Sequence, residues 1–306
     1  MNVLLLGGKG YIGTRLHPYL TSTGHKVTSY DLCWFGNHSS QLHVQKDINT
    51  ITVSELSKFD AVILLAAHSS VKMCLYNGVD SFNNNVRNFI SLVHKISKIK
   101  KPIKFIYASS SSIYGNTGKE LAAEDRKEFI CVNNYDLTKY MNDQFMINND
   151  LLDCWYGLRF GTVNGFSRNF RSELMLNSMT KRAIERGEIH ITNSHINRAI
   201  LDIDDLCRVM DQILYCGDKF NVGVYNINSF NKNVAEIADE VASLTYSKIV
   251  DGGNIGNPYD FAISNRKFEE TFNFKFKGSI ERIVKEIQQN YGGLTLTDRD
   301  NGIKYE

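Results

Sequence analysis

The opening residues, MNVLLLGGKGYIGTRL, pass from an aliphatic run into glycines at positions 7, 10 and 13 and then into an amphipathic pattern. At a strand-to-helix turn each glycine has a use. Gly7 permits a tight bend, Gly10 lets a pyrophosphate approach the backbone, and Gly13 lets the helix pack close. Free N–H groups at the helix N-terminus then meet the phosphates. A glycine-rich turn also closes ordinary βα units, so the context decides. Asp31 ends the second apolar run, where an acid accepts hydrogen bonds from the adenosine ribose hydroxyls of a dinucleotide and repels a 2′-phosphate. Alone it is equally a polar strand end; with the glycines it favours NAD over NADP.

Short apolar runs at Val3 to Leu6, Lys26 to Tyr30, Ala61 to Leu65, Ile103 to Tyr107 and Cys154 to Leu158 read as buried strands. Helical patterns separate them: Ile12, Leu16 and Leu20 mark one face, and Phe82, Val86, Phe89, Ile90 and Val93 another, with Gly24 where the first helix stops. The alternation predicts an α/β fold, a Rossmann-type doubly wound parallel sheet. After Phe160 a polar segment departs from the sheet, with a helix from Glu173 and a short strand from Ile189 to Thr192. The chain returns at RAILDIDDL and the strand VYNINS, followed by helices from Val234 to Leu244 and from Ile280. The tail GGLTLTDRDNGIKYE has neither period and is expected to be loose. The division expected is an NAD-binding domain of residues 1–162 and 199–227, and a smaller C-terminal α/β substrate lobe of 163–198 and 228–306.

The 306 residues carry a formal charge of +2, with 22% charged residues, which gives no sign of a nucleic-acid surface. No apolar run approaches the ~20 residues a bilayer helix needs, and no basic leader precedes the first strand, so the expectation is a cytoplasmic protein without membrane contact. Six cysteines without a CxxC pair read as core thiols. The eight histidines lack ligand spacing, so no metal is expected.

In NNYDLTKYMNDQ, Tyr135 and Lys139 stand four apart on one helical face. A phenol of ordinary pKa ~10 is a poor base at neutral pH, but a nearby ammonium and a cationic nicotinamide both favour the phenolate. YxxxK on an arbitrary helix is usually a solvated pair. Here it follows a strand ending in YASSSSIYG, whose serines lie at the edge where parallel sheets bind ligands.

Together these stretches resemble the extended short-chain dehydrogenases/reductases, in particular the NAD-dependent epimerase/dehydratase group that acts on nucleotide sugars. GGKGYIG is similar to the family's GxxGxxG, which implies cofactor contacts at Gly7, Gly10, Tyr11, Ile12 and Gly13. KDI at 46–48 resembles the adenine loop, implying Asp47 and Ile48; LLAAHSSV resembles the segment lining the cofactor, implying Leu65, Ala66 and Ala67. SSSSIYG, YDLTK, LRFGTVNG, RAILDIDDL and VYNINS follow in the family's order. The resemblance implies a catalytic set of Ser110, Tyr135 and Lys139, the last two also touching NAD. It implies substrate contacts from Ser111, Ser112, Asn177 and Arg198, and a homodimer through helices of the larger domain, with Phe82 to Ile96 the expected segment.

Two departures bear on the reaction. Dehydratases of the family carry an Asp-Glu pair where this chain has Ser111 and Ser112, and elimination of water needs such an acid and base. Many relatives also place a second diphosphate-binding arginine where Tyr259 and Asp260 stand; Arg168 or Arg171 is its substitute. The expected function is therefore NAD-dependent epimerisation of a nucleotide sugar at C4 through a keto-sugar. A one-way reductase or dehydrogenase would use the same triad, whereas a dinucleotide sensor would need none of it.

Overall fold

Leu4, Leu5, Leu6, Val62, Ile63, Phe105 and Ile106 belong to consecutive sheet strands and are almost wholly shielded from solvent, because helices cover both faces of the sheet. The computed structural model describes residues 1–293 and the backbone of 295 and 296. Along the chain run β1 (Asn2–Leu6), α1 (Gly13–Ser22), β2 (Lys26–Asp31), β3 (His43–Gln45), α2 (Val53–Leu56), β4 (Ala61–Leu64), α3 (Val71–Tyr76), α4 (Gly78–Phe82), α5 (Asn88–Ser97), β5 (Lys104–Ser110), β6 (Leu121–Ala122), α6 (Asn134–Ile147), β7 (Trp155–Phe160) and β8 (Thr162–Asn164). There follow β9 (Asn169–Phe170), α7 (Met175–Arg186), β10 (Glu188–Ile191), β11 (Asn197–Asp202), α8 (Ile203–Cys216), β12 (Gly223–Ile227), β13 (Phe230–Asn233), α9 (Val234–Thr245), β14 (Lys248–Asp251), β15 (Ala262–Ile263), α10 (Arg266–Phe272), α11 (Ile280–Asn290) and β16 (Thr295–Leu296).

The central sheet has seven strands in the order β12-β7-β5-β4-β1-β2-β3, and every pairing in it is parallel. The chain reverses direction across the sheet between β1 and β4, so a crevice opens beyond their C-terminal ends, where ligands bind in such folds. Period-two alternation divides the strand residues between two cores. Val3, Leu5, Ile63 and Ile106 pack with Leu16 of α1 and Leu206 and Met210 of α8. Leu4, Leu6, Val62 and Phe105 pack with Phe89 and Val93 of α5 and Met146 of α6. A third core joins Leu176, Met179, Ile237, Val241, Ile283 and Ile287 from α7, α9 and α11. Arg15 of α1 pairs with Asp204 of α8 and Glu286 of α11, both at 2.6 Å, and so ties the sheet's flank to the third core.

Some expectations change. The returning segment enters the central sheet through α8 and β12, but its strand β11 pairs with β8 and β13 in a separate three-stranded sheet. The helix expected around Phe82 to Val93 is interrupted by a π-helical turn at Asn83–Arg87, which rotates α5 relative to α4. Of the six thiols, all free, only Cys74 and Cys207 are buried, and Cys216 is exposed. In the tail, Thr295–Leu296 pairs with Asn169–Phe170, and 294 and 297–306 lie outside the described residues. Among the described residues no helix is long and apolar enough to cross a membrane.

Candidate active site

The glycine turn at the end of β1 explains its own sequence. Gly7 sits at φ +90°, and a Cβ there would lie 2.6 Å from the Ala66 nitrogen; one on Gly13 would lie 2.3 Å from the Gly7 carbonyl. At Gly10 the nearest atom would be 3.4 Å away, so its face is open. Gly7, Gly10, Tyr11, Ile12, Gly13, Asp31, Asp47, Ile48, Leu65, Ala66 and Ala67 all line one cleft. Its bare backbone at a helix N-terminus fits a pyrophosphate.

Asp31 ends β2 with one oxygen accepting the Lys9 N–H at 2.8 Å and the other the Cys33 N–H at 2.7 Å, which holds its carboxylate at the cleft wall. Behind it the buried Lys9 ammonium donates to the carbonyls of Ser39 and Gln41, fixing the loop that follows Trp34 and Phe35. Both aromatic residues line the cleft. Asp47 accepts the Asn49 N–H at 2.8 Å, which starts the turn carrying Ile48.

A second cleft adjoins the first at Tyr11, Ile12, Leu65, Ala67, Ser69 and Arg171, and contains Ser110, Tyr135 and Lys139. β5 delivers Ser110 to its rim, and α6, capped by Asn133 accepting the Asp136 N–H, presents Tyr135 and Lys139 one turn apart. Ser110 stands beside the Tyr135 phenol in this cleft. The Lys139 ammonium lies 5.7 Å from the Tyr135 ring centre and donates to the Ala108 carbonyl at 2.7 Å. Burial pushes Tyr135 up to about 12 and Lys139 down to about 8. In the protein alone desolvation outweighs the Arg171 charge that favours the phenolate, so the phenol is neutral at pH 7 and a further cation must tip it.

The substrate-side residues divide. Ser112 and Ser111 line this cleft, but the Ser111 hydroxyl donates to the Phe160 carbonyl at 2.7 Å and braces β5 against β7. Arg198 of β11 reaches the cleft with Nη1 buried and without a partner, which suits an anion not yet supplied. Asn177 departs from expectation. It is fully buried, its Oδ1 accepts the Gly165 N–H at 2.9 Å, and its amide donates to the Tyr11 hydroxyl at 3.2 Å and the Arg171 carbonyl at 3.0 Å. With these bonds made it joins α7 to the glycine turn and lines neither cleft. Of the two substitute arginines, Arg168 is exposed, whereas Arg171 lines both clefts.

Two site residues escaped sequence reading. Tyr259, where an arginine was sought, lines the cleft and donates its hydroxyl to Asp136, which is hidden behind Ser112. Only the acidic residue directly after Tyr135 signalled it.

Residues 3–227 match the profile described as the NAD dependent epimerase/dehydratase family. The chain belongs to that family. NAD is the cofactor of its members, and the glycine cradle fits it. Among curated proteins the chain is 30% identical over 177 residues to the UDP-glucose 4-epimerase of Lactobacillus helveticus, 55% of this chain and 53% of that one. The chain thus spans about half the length of the first such relatives it matches. It is 25% identical to the probable dTDP-glucose 4,6-dehydratase of Sinorhizobium fredii (strain NBRC 101917 / NGR234), over 95% of this chain and 93% of that one. Among solved structures, MoeE5 in complex with UDP-glucuronic acid and NAD superposes with a TM-score of 0.82 at 22% identity, covering 96% of this chain and all of that one. The last likeness is one of fold.

Proposed function

We propose that this protein interconverts nucleotide sugars that differ in configuration at C4, by way of a transient keto-sugar. The observation that carries the reading is the wall around Tyr135: serine hydroxyls, two arginines, a lysine and tyrosines, with no carboxylate among the described residues that line it. Such a wall suits reversible oxidation of a carbinol. It does not suit elimination of water, for which a carbon-bound proton must leave to a base while a hydroxyl departs with an acid's proton.

Asp31, Asp47 and the glycine turn hold NAD, which when bound accepts a hydride and gives it back. Tyr135 as phenolate takes the proton of the sugar hydroxyl and later returns one to the same oxygen, while Ser110 holds that oxygen. Lys139 positions the cofactor ribose and favours the phenolate. Arg198 and Arg171 grip the diphosphate while the keto-sugar turns over between them. Asp31 selects NAD over NADP.

We assign the NAD-binding part to 1–162 and 199–227 and the substrate lobe to the rest, and propose a cytoplasmic homodimer. Within the expected segment Phe89, Leu92, Val93 and Ile96 face the core, which leaves its outer side for the contact. Leu75, Tyr76 and Val79 of α3 and α4, with Leu137 and Met141 of α6, are among the exposed apolar residues of that flank. A monomer in sedimentation at micromolar concentration contradicts this part.

Tyr135→Phe tests the catalytic reading. The variant keeps its fold and NAD affinity but loses ~100-fold or more in turnover, the scale of a general acid/base group. Full activity on a verified nucleotide sugar would rule Tyr135 out.

A further inference from the structure

A buried carboxylate that the proposed reaction does not use lies one residue beyond Tyr135. Asp136 is fully buried, and its oxygens accept four hydrogen bonds. Oδ1 takes the Ser112 hydroxyl at 2.6 Å; Oδ2 takes the Tyr259 hydroxyl at 2.6 Å, the Asn133 amide at 3.0 Å and the Val132 N–H at 3.3 Å. The donors come from the turn after β5, the start of α6 and the loop before β15. Burial raises this carboxyl while those donors pull it back, and so many donors suit the ionised form.

A carboxylate has no hydrogen to give, so Ser112 donates to it. A hydroxyl has one hydrogen, so in the 2.8 Å contact between Ser110 Oγ and Ser112 Oγ the donor is Ser110. Its hydrogen is then spent. We propose that Asp136 is a positioning residue that orders the Ser112 and Ser110 hydroxyls, so that before substrate binds Ser110 meets Tyr135 as a hydrogen-bond acceptor. This rests on the reading of Tyr135 as the acid/base.

An acceptor at Ser110 favours partners with a hydrogen to offer. The neutral phenol has one; the phenolate does not. The ordered serines therefore hold Tyr135 of the resting site as the neutral phenol, and the Asp136 charge acts in the same direction on it. The other groups that bear on Tyr135 are Lys139 on the same helix, Arg171 before α7, Cys74 of α3 and Tyr259 before β15. Those on Asp136 are Tyr259, Cys131 and Cys74.

The test is a pH titration of tyrosinate absorbance in the NAD-loaded protein, with the same variant carrying Tyr135→Phe subtracted so that only Tyr135 is read. Asp136→Asn lowers the Tyr135 midpoint by about one unit, through loss of a nearby negative charge and release of the Ser110 hydrogen. Ser112→Ala keeps the charge and still lowers the midpoint by about half a unit, because Ser110 is then free to donate to the phenolate. Since Asp136→Asn leaves several donors facing an amide and can unfold, the smaller Ser112→Ala change decides. An unshifted midpoint in Ser112→Ala overturns the ordering. If Tyr135→Phe is inactive and that midpoint is unmoved, only the ordering fails; if Tyr135→Phe retains turnover, the acid/base reading fails.

Discussion

Lys139 shows at a single residue what the site costs the fold. Its ammonium is buried with one carbonyl to receive it, and burial brings it from an ordinary 10.5 down to about 8. Between those values the unfolded chain holds a proton that the folded chain has released, so folding stability rises with pH through that window. Below pH 8 both states are protonated and the full penalty applies, at most about 3 kcal/mol for a shift of this size. The cofactor-free wild type, measured against Lys139→Met, should therefore gain thermal stability from pH 8 to 10, with the variant more stable at pH 7. Parallel melting curves across that range would mean that the ammonium is solvated. The triad's members were legible because four-residue helical spacing and a strand end are local patterns. Asp136 and Tyr259 were not, because their 2.6 Å contact spans 123 positions and depends on packing between distant elements.

Among the elements, α7 carries the clearest lesson. A helix from about Glu173 is legible in the sequence, and in the structure it ends at Gly187 in the αL conformation, but the inward orientation of Asn177 is not legible. Read by resemblance it is a sugar contact; in the structure it joins Gly165, Tyr11 and the Arg171 carbonyl. Asn177→Ala leaves buried donors and an acceptor unpaired at about 1–3 kcal/mol for a group. The expected result is a melting temperature lower by about 5 °C, with NAD and substrate affinities following only as far as Arg171 is displaced. A variant of unchanged stability with sharply weakened substrate binding would restore the direct contact. The π-helical turn before α5 was equally hidden, since one extra residue shifts a hydrophobic face without breaking its pattern.

For the whole molecule, the alternation of apolar runs and helical stretches was enough to infer the parallel sheet, because strands buried on both faces carry continuous hydrophobic runs. The small sheet of β8, β11 and β13 was less legible, since β8 is only three residues long and β13 has no fully buried residue. That sheet brings Arg198 to the second cleft, and the two clefts meet along Tyr11 and Arg171. The proposed chemistry in this crevice inverts a carbinol without deprotonating carbon or expelling water. The direct measurement is incubation of the NAD-loaded protein in D2O with UDP-glucose, UDP-glucuronate or UDP-N-acetylglucosamine, read by mass spectrometry and proton NMR. The expected result, for the sugar that reacts, is an equilibrium mixture of two C4 epimers of equal mass, with no carbon-bound deuterium and no accumulating NADH. A product lighter by one water, or one carrying deuterium on carbon, would contradict it.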